Sequence, residues 1–401
     1  MELSLAQRFA AVRRRSVELA APLTAEDQII QTMPEASPTK WHLAHTTWFF
    51  ETFVLGAREQ PFDPAFAFLF NSYYEAVGPR VERPRRGLMS RPPLERVHAY
   101  RAAIDERVGA ALVKGALDAA ALDRLELGLQ HEQQHQELIL TDIKHVLGTQ
   151  PTRSAYRADL PRGGLRVGEA AHWRAHDGGI VTLGAPPGGF AFDNERPLHR
   201  VLVAPFRIAS RPLTNREIQG FIADGGYRDH RLWLSDGWAA VQTNGWQAPL
   251  YWDVDTLYDL AGMRAIDPNE PACHLSYYEA DAVARWAGAR LPTEQEWELA
   301  AATEPVRGNF VDDGRLHPIA GPGGMFGDVW QWTASAYAPY PGFRPLAGAL
   351  GEYNGKFMSG QQVLRGGSCF TPRDHIRASY RNFFPPYVRW QMSGVRLALD
   401  G

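Results

Sequence analysis

Two histidines, His131 and His135, have the spacing of a pair that can bind one metal ion. They lie four residues apart in a segment with helical periodicity, LELGLQHEQQHQELILTDIKHVLG, and residues at i and i+4 share one face of a helix. Leu127, Leu138 and Asp142 continue that face, so both imidazoles are predicted to face the protein interior. Metal coordination is the favoured chemistry, because an unpartnered imidazole in a core costs free energy.

A third nitrogen ligand is available from the upstream segment SPTKWHLAHTTWFFE. Ser37 and Pro38 have the residue types of a helix N-cap followed by proline in the first turn. His42 and His45 lie three residues apart on this predicted helix, so either could complete the site, and spacing alone does not choose between them. A ligand set of imidazoles suits iron, zinc or copper, whereas Mg²⁺ and Ca²⁺ prefer oxygen ligands.

Two other interpretations of the histidine pair remain open. The letters HEQQH satisfy H-E-x-x-H, in which Glu132 would be the general base of a zinc protease. The extended protease motif is broken, because Leu138 and Thr141 occupy its glycine and third-histidine positions. Alternatively, His131 and His135 could be ordinary polar members of a Gln/Glu-rich helix face, although the apolar residues on their own face argue against this.

The composition indicates which kinds of binding partner and which cellular compartment to expect. The chain has 401 residues, a net charge of −3 and an apolar fraction of 45%, which is ordinary for a globular protein and gives no general attraction for nucleic acid or anionic lipid. The sequence contains no long apolar run and no secretion-signal pattern, so neither a membrane span nor export is expected. Two cysteines, Cys273 and Cys369, are too few for a disulfide framework, and a cytoplasmic location is therefore expected.

The periodicity of the apolar residues changes near residue 177. Before that point, helical spacing recurs in four segments, at 4–21, 38–57, 93–114 and 119–147. After it, short β-like runs alternate with long loops and one clear helix, SYYEADAVARWAGAR. The predicted fold class is therefore α+β with two domains: a four-helix bundle at 1–155, a linker at 156–176 and a domain with little regular structure at 177–401.

Eight motifs, spread over nearly the whole chain, form a specific set. They are WHLAHTTWFFE (41–51), HEQQHQE (131–137), FDNERPLHRV (192–201), PLTNREIQGF (212–221), RLPTEQEWELAA (290–301), GDVWQWT (327–333), LRGGS (364–368) and RWQMSGVRLALD (389–400). The first two resemble the DinB-like four-helix bundle of the ergothioneine-type sulfoxide synthases, or hercynine oxygenases. The other six resemble the formylglycine-generating-enzyme-type domain of the same family, which has a C-type-lectin-like fold.

The resemblance implies a mononuclear non-haem Fe(II) site with three histidine ligands and O2 as co-substrate. The family's first ligand is the histidine of the L-A-H triplet, which is His45 here, and His131 and His135 complete the set. His42 then has a supporting role. The implied reaction joins a sulfur donor to C2 of the imidazole of hercynine (Nα-trimethylhistidine) and oxygenates the sulfur to a sulfoxide. The chain resembles a true formylglycine generator less, since RASYRNFFPPYVRWQMSG lacks that enzyme's cysteine pair.

The resemblance also assigns residues to hercynine. Gln134 stands at the family position that hydrogen-bonds the substrate imidazole. The motif RNFFPP matches the part that holds the trimethylammonium end, with Asn382 as a polar contact, Phe383 as an aromatic or apolar wall, and Phe384 beside them. Aromatic faces suit a quaternary ammonium, which has no N–H to donate, although buried phenylalanines more often serve as plain core.

For the sulfur donor, the resemblance points to the arginine-rich loop GPRVERPRRGLMSRP. Arg80 and Arg83 match the family's P-R-x-x-R donor positions, and Arg86 is added because guanidinium groups bind carboxylates well. A surface loop rich in arginine but without a ligand is the alternative.

Just before that loop, Tyr73 and Tyr74 are candidates for supplying a proton or an electron during C–S bond formation. A tyrosine pair here resembles the branch of the family that uses free cysteine. The branch that uses γ-glutamylcysteine takes its tyrosine from the C-terminal domain and has an acidic residue where Phe384 stands. Cysteine is therefore the expected donor.

Three rival functions share some of these residues. A selenoneine synthase, which joins a selenosugar to hercynine, would share the iron site, the hercynine pocket and the fold. An ovothiol-type synthase would need a pocket for the free ammonium of histidine. A non-catalytic binding protein with the same two domains is the rival from another class, and the presence of all three candidate ligands together with Gln134 argues against it.

Overall fold

The structure, a computed structural model, describes residues 3–56, 59–161 and 170–401. The described chain forms two compact units, which are Met1–Arg157 with Ala347–Tyr353, and Ala158–Leu346 with Asn354–Gly401. The first is helical and the second is mixed, so the predicted α+β class is confirmed. The predicted linker, 156–176, includes residues 162–169, which lie outside the described residues.

The helices of the first unit lie where the sequence predicts four of them, with one short helix in addition. They are α1 (Leu5–Ala20), α2 (Thr39–Phe49), α3 (Phe66–Phe70), α4 (Leu94–Val113) and α5 (Ala119–Thr149). Helix α1 is preceded by a capping box formed by Ser4 and Gln7, and α5 is capped by Asp118, whose side chain accepts from the Ala121 N–H. Helix α5 packs against both α1 and α2.

Helix α2 differs in detail from its predicted start. It begins at Thr39, so Pro38 occupies the cap position and makes no side-chain cap. Ser37 has another role, because its Oγ accepts from Arg86 (2.9 Å) and its backbone N–H donates to Asp142 (2.8 Å). After α2 the chain continues as a π-helical turn, Phe50–Leu55. Every residue of α2 is buried, as expected for a helix enclosed by other elements.

Close packing between α2 and α5 depends on Gly128. A Cβ at this position would lie 2.6 Å from Cε1 of Phe50 and 3.1 Å from Cε1 of Phe49. Both distances are shorter than ordinary van der Waals contact, so the two helices approach this closely only because residue 128 has no side chain. One turn later on α5 stands His131, which the same approach brings beside α2.

The second unit contains small sheets and short helices joined by long loops. Its strands are β1 (Trp173–His176), β2 (Gly179–Leu183), β3 (His199–Val203), β4 (Phe206–Ala209), β5 (Trp252–Asp253), β6 (Thr256–Asp259), β7 (Gly262–Ala265), β8 (Trp330–Ala336), β9 (Gln362–Arg365), β10 (Asn382–Phe384), β11 (Ser393–Gly394) and β12 (Ala398–Asp400). The sheet orders are β1-β4-β12, β2-β3, β5-β6-β7 and β10-β9-β8-β11. The helices are α6 (Asn215–Ala223), α7 (Ser235–Asn244), α8 (Tyr277–Trp286) and α9 (Glu294–Ala301). Helix α8 is the one predicted from SYYEADAVARWAGAR.

Buried ion pairs hold the interior of the second unit together. Glu294, the first residue of α9, pairs with Arg365 (2.8 Å) and Arg381 (2.9 Å), and all three side chains are buried. Arg381 directly precedes β10, so this network fixes the start of the strand that carries the predicted NFF motif. Among the described residues, no helix is both long and apolar enough to cross a membrane.

Candidate metal centre

Three histidines from two helices of the first unit converge on one point. His45 lies on α2, and His131 and His135 lie one turn apart on α5. Each offers a ring nitrogen within 4.8 Å of those of the other two. The side chains are 0%, 2% and 9% exposed, respectively, so the polar-surface interpretation of the pair on α5 does not fit its surroundings.

The ring nitrogens of this group have the arrangement of ligands to a cation. Nδ1–H of His45 donates to the carbonyl oxygen of Phe70 (2.6 Å), which leaves its Nε2 as a lone pair. That Nε2 lies 3.3 Å from Nε2 of His131. Two lone pairs at this distance repel, so a proton or a cation must lie between them. The separation is close to the roughly 3 Å expected for two nitrogens on one ion with bonds of about 2.1 Å.

The protonation preferences of the three imidazoles also suit a divalent metal. Burial lowers the pKa of His131 to about 3. Burial likewise lowers the pKa of His45 and of His135 well below the usual value, and the nearby His131 adds to the effect in both. Neutral imidazoles are the form that binds metals. Because no carboxylate belongs to this group among the described residues, the donor set fits iron, zinc or copper rather than Mg²⁺ or Ca²⁺.

His42, the alternative third ligand, points elsewhere. Its Nδ1 faces Nδ1 of His135 (2.8 Å), and its Nε2 faces Oδ2 of Asp142 (3.0 Å). Both of its ring nitrogens therefore have protein partners, and it is outside the group of three. The structure thus places His42 behind His135.

Aromatic rings enclose the histidine group. Trp41 stacks on His45 with ring centroids 4.5 Å apart and planes 10° apart, and Trp48 is nearly parallel to the same ring at 5.6 Å. Phe49 lies 4.7 Å from the ring of His131. These contacts restrict the ring orientations and exclude water from the walls of the site, which strengthens electrostatic interactions there.

Glu132, the general base of the protease interpretation, lies in an ion network. It is 0% exposed and accepts from Arg13 (2.8 Å), Arg101 (2.9 Å) and Ser16 (2.6 Å). Burial raises its pKa, but the two guanidinium charges outweigh that effect and hold the pKa at about 2. A carboxylate with these partners is a structural anion and a poor general base.

Three tyrosines lie near the histidines. Tyr74 is buried, with its ring 5.7 Å from that of Trp48, and Tyr73 packs 4.7 Å from Tyr74. Tyr353, which the sequence reasoning missed, belongs to the first unit although its neighbours in sequence from residue 354 belong to the second. Its ring lies 5.5 Å from His131 and 6.2 Å from Tyr73. Burial raises the pKa of Tyr74 well above its usual value, with Tyr353 adding to the effect.

The three predicted donor arginines have different environments. Arg80 is half-buried and pairs with Glu75 at 2.5 Å, and Arg83 is exposed. Arg86 is 3% exposed and lies 3.4 Å above the ring of Trp41. Burial lowers its pKa well below the usual value, with Arg83 adding to the effect.

The buried guanidinium of Arg86 is held by a neutral partner. Its Nη1 donates to Ser37 Oγ, and its buried Nε has no protein partner. Within the described ranges, no carboxylate lies within ion-pair distance of this guanidinium. Burial disfavours the charged form of this guanidinium and an anionic ligand would stabilise it, so the arrangement suits an anionic ligand.

The predicted hercynine residues fall in both units. Gln134 is half-buried on α5, between His131 and His135. In the second unit, Asn382 and Phe383 lie on β10, where Asn382 Oδ1 accepts from the Phe383 N–H (2.9 Å). Phe383 stacks on Tyr337 with ring centroids 3.9 Å and planes 9° apart.

Phe384 is the last residue of β10 and is half-buried, as are its two neighbours on the strand. Phe357 adds a further ring, 6.1 Å from Phe383. Tyr337 and Phe357 were not predicted from sequence, because neither lies in a motif. Both free cysteines, Cys273 and Cys369, are buried.

Comparisons with known proteins agree with the two units. The DinB superfamily model matches residues 8–139, and the model of the sulfatase-modifying factor enzyme 1-like domain matches residues 175–323 and 318–401. A protein of Mycolicibacterium thermoresistibile named hercynine oxygenase is 36% identical, over 92% of this chain and 88% of its own length.

Two further relatives carry related names. The hercynine oxygenase of Mycolicibacterium smegmatis is 35% identical over 99% of both chains. Ergothioneine biosynthesis protein 1 of Schizosaccharomyces pombe is 30% identical over 52% of this chain and 27% of its own length. With both domain models matched and identity of 35–36% over nearly its whole length, the chain belongs to the hercynine oxygenase family and is an oxygenase.

Proposed function

We propose that this protein is a non-haem iron oxygenase that joins cysteine to C2 of the hercynine imidazole. The observation that carries the proposal is the buried group His45, His131 and His135, in a chain 36% identical to a hercynine oxygenase. The reaction breaks the imidazole C2–H and the S–H bonds and forms a C–S bond. One oxygen atom of O2 goes to sulfur, giving the sulfoxide, and the other leaves as water, so that O2 accepts four electrons.

The three histidines hold the Fe(II) in this proposal. Bound there, the ferrous ion supplies a site at which O2 is reduced and the donor thiolate is held. The protein contributes a pocket of neutral imidazoles with aromatic walls. Gln134, between two of the ligands in sequence, orients the hercynine imidazole by a hydrogen bond.

Hercynine's trimethylammonium end has no N–H to donate and suits an environment without hydrogen-bond donors, and aromatic rings attract this cation through their negative faces. The stack of Phe383 on Tyr337, with Phe384 beside it, supplies such rings. Asn382 supplies a polar contact nearby. In this proposal the metal ligands belong to the predicted bundle, residues 1–155, and these contacts to hercynine belong to the predicted second domain, residues 177–401.

The donor's carboxylate is assigned to Arg86, with Arg80 and Arg83 assisting. A buried guanidinium whose Nε has no protein partner favours a donor that carries an anion. Cysteine has a carboxylate and a selenosugar does not, so this observation supports the sulfur enzyme over a selenoneine synthase. The proposal of cysteine over γ-glutamylcysteine rests on the Tyr73–Tyr74 pair and on Phe384, which stands where the other branch has an acidic residue. Tyr353, a tyrosine from the C-terminal part of the sequence, is the one feature here that resembles the γ-glutamylcysteine branch.

Proton transfer is assigned to the tyrosines. A phenol with a raised pKa stays protonated at neutral pH, so Tyr74 is a proton donor rather than a base. Tyr73 and Tyr353 pack against each other, and the ring of Tyr353 lies 5.5 Å from that of the proposed ligand His131. Tyr353 therefore joins Tyr73 and Tyr74 as a candidate for the proton donor.

The deciding experiment is a competition among donors. Fe(II)-loaded protein is incubated aerobically with hercynine and equal concentrations of cysteine, γ-glutamylcysteine and a selenosugar, and the products are identified by mass spectrometry. The proposal predicts the cysteine–hercynine sulfoxide as the main product, with uptake of O2 that requires both substrates. A selenium-containing product, or no O2 uptake by protein with bound iron, would contradict it.

A further inference from the structure

A second histidine and a carboxylate stand in line behind the ligand His135. Nδ1 of His135 is 2.8 Å from Nδ1 of His42, and Nε2 of His42 is 3.0 Å from Oδ2 of Asp142. All three side chains are buried, at 9%, 2% and 4% exposure. The same Oδ2 also accepts from the backbone N–H of Ser37 (2.8 Å), so the carboxylate is fixed in place.

The positions of the protons in this line follow from the acceptor at its end. A carboxylate oxygen only accepts, so Nε2 of His42 must carry the proton. A neutral His42 then has a lone pair on Nδ1, which must accept from Nδ1–H of His135. His135 is thereby left with its lone pair on Nε2. A neutral His42 with the other tautomer would place a lone pair against Asp142 at 3.0 Å, in a buried site where such a clash is costly.

We infer that Asp142 and His42 are positioning residues that hold His135 in the one tautomer able to bind the metal through Nε2. This inference rests on the proposed function, because it concerns a residue of the proposed iron site. Neither residue touches the substrates in this role. Each acts on the reaction through the orientation and basicity of a ligand.

The other two ligands are held in different ways. His45 donates through Nδ1 to the backbone carbonyl of Phe70, a neutral acceptor. His131 has a buried Nδ1 with no hydrogen-bond partner. Of the three ligands, His135 is therefore the one supported by a carboxylate through an intervening imidazole. Loss of His42 or Asp142 should therefore disturb the orientation of His135 alone among the three ligands.

Asp142 is also connected, through Ser37, to Arg86 in the arginine-rich donor loop. Ser37 donates its backbone N–H to Asp142, while its Oγ accepts from Arg86. Arg86 is the buried guanidinium assigned to the donor carboxylate. One residue, Ser37, therefore holds both the carboxylate behind the metal ligand and the cation of the proposed donor site.

The first test needs no metal. The metal-free full-length protein is labelled with ¹⁵N in its histidine rings, and the tautomers of His42 and His135 are read from the ring nitrogen shifts. The inference predicts a proton on Nε2 of His42 and on Nδ1 of His135. A proton on Nε2 of His135, as would follow from a doubly protonated His42, would overturn it.

The second test compares metal affinity in matched variants. His42→Phe keeps a ring but removes both nitrogens, whereas His42→Asn keeps an oxygen that can accept from His135. Fe(II) affinity, measured anaerobically against a competing chelator, should fall about 10–100-fold in H42F and by less than about tenfold in H42N. His145→Gln, on the same helix but bonded to Thr32, is the control and should match the wild type.

The outcomes separate the two claims. Equal Fe(II) affinity in H42F, H42N and wild type would overturn the positioning role of His42 but would not contradict the proposed iron site. Failure of the wild type to bind iron, combined with the predicted tautomers in the metal-free protein, would overturn the proposed function and leave the positioning of His135 supported. Circular dichroism of each variant identifies any loss that arises from unfolding.

Discussion

Replacing Glu132 by glutamine tests whether the H-E-x-x-H glutamate is structural. Glu132 is fully buried and accepts from two guanidinium groups, those of Arg13 and Arg101. Arg13 has a second carboxylate partner, Asp105 at 2.6 Å, but Arg101 has no other ion-pair partner in the described parts of the chain. The neutral amide would therefore leave at least one buried cation without its counter-charge.

Two independent estimates agree that E132Q should lower the free energy of unfolding by about 3 kcal/mol. Removing one partner of a buried ion pair typically costs about 3–5 kcal/mol. A pKa of about 2 against a usual value of 4.5 corresponds to about 3 kcal/mol of stabilisation by the ionised form. Because the pKa in the folded protein is the lower one, this contribution is complete above pH 4.5 and is lost as the pH falls towards 2.

The assay is urea unfolding followed by the helical circular dichroism signal, at pH 7 and again at pH 3. E132Q should be about 3 kcal/mol less stable than wild type at pH 7, and the difference should shrink at pH 3. Glu126→Gln, which breaks a partly exposed pair with Arg8, is the control and should cost about 1 kcal/mol or less. An E132Q protein as stable as E126Q would contradict the structural role of Glu132 and return the general-base interpretation to consideration.

Three further changes address the substrate and proton sites. Arg86→Met should raise the KM for cysteine by roughly 10–100-fold, since charged hydrogen bonds contribute about 1.5–3 kcal/mol each; an equal rise in the KM for hercynine would argue against a donor site. Tyr353→Phe should shift the product ratio from sulfoxide towards oxidised cysteine, and an unchanged ratio would remove Tyr353 from proton transfer. The carboxylate of Glu352 accepts from the backbone N–H groups of Glu75 and Ala76, which directly follow Tyr73 and Tyr74. Glu352→Gln should therefore speed amide hydrogen exchange at Glu75 and Ala76 by roughly tenfold. Unaltered exchange would mean that this contact does not order the loop that carries the two tyrosines.

The histidine face of α5 could be predicted because helical spacing alone brings His131 and His135 together. The sequence could not choose between His42 and His45, which lie on one helix and both reach the same region. The roles of His42 and His45 differ because their ring nitrogens face different partners. The partner that occupies Nε2 of His42 is Asp142, which lies on another helix, α5. Only packing of α2 on α5, permitted by Gly128, establishes that contact.

Other parts of the site depend on contacts between segments far apart in sequence. Tyr353 lies in a loop without a motif and reaches the first unit through chain topology, which no local pattern reports. Serine is a good helix cap, so the sequence predicts that Ser37 caps α2, but Ser37 instead binds Arg86 and Asp142. Helices α6, α7 and α9 were missed because they are short, although Thr214 and Thr293 begin the first and last of them with capping boxes.

The most direct measurement is X-ray absorption at the iron edge of the anaerobically Fe(II)-loaded, full-length protein, together with its iron content. We expect one ferrous ion per chain with three imidazole nitrogens among its ligands, and loss of the bound iron in H45A, H131A and H135A. Iron bound with the same coordination in the wild type and in any of these variants would contradict the assignment of that histidine as a ligand. A wild-type protein that binds no iron would contradict the proposed iron site and the function built on it.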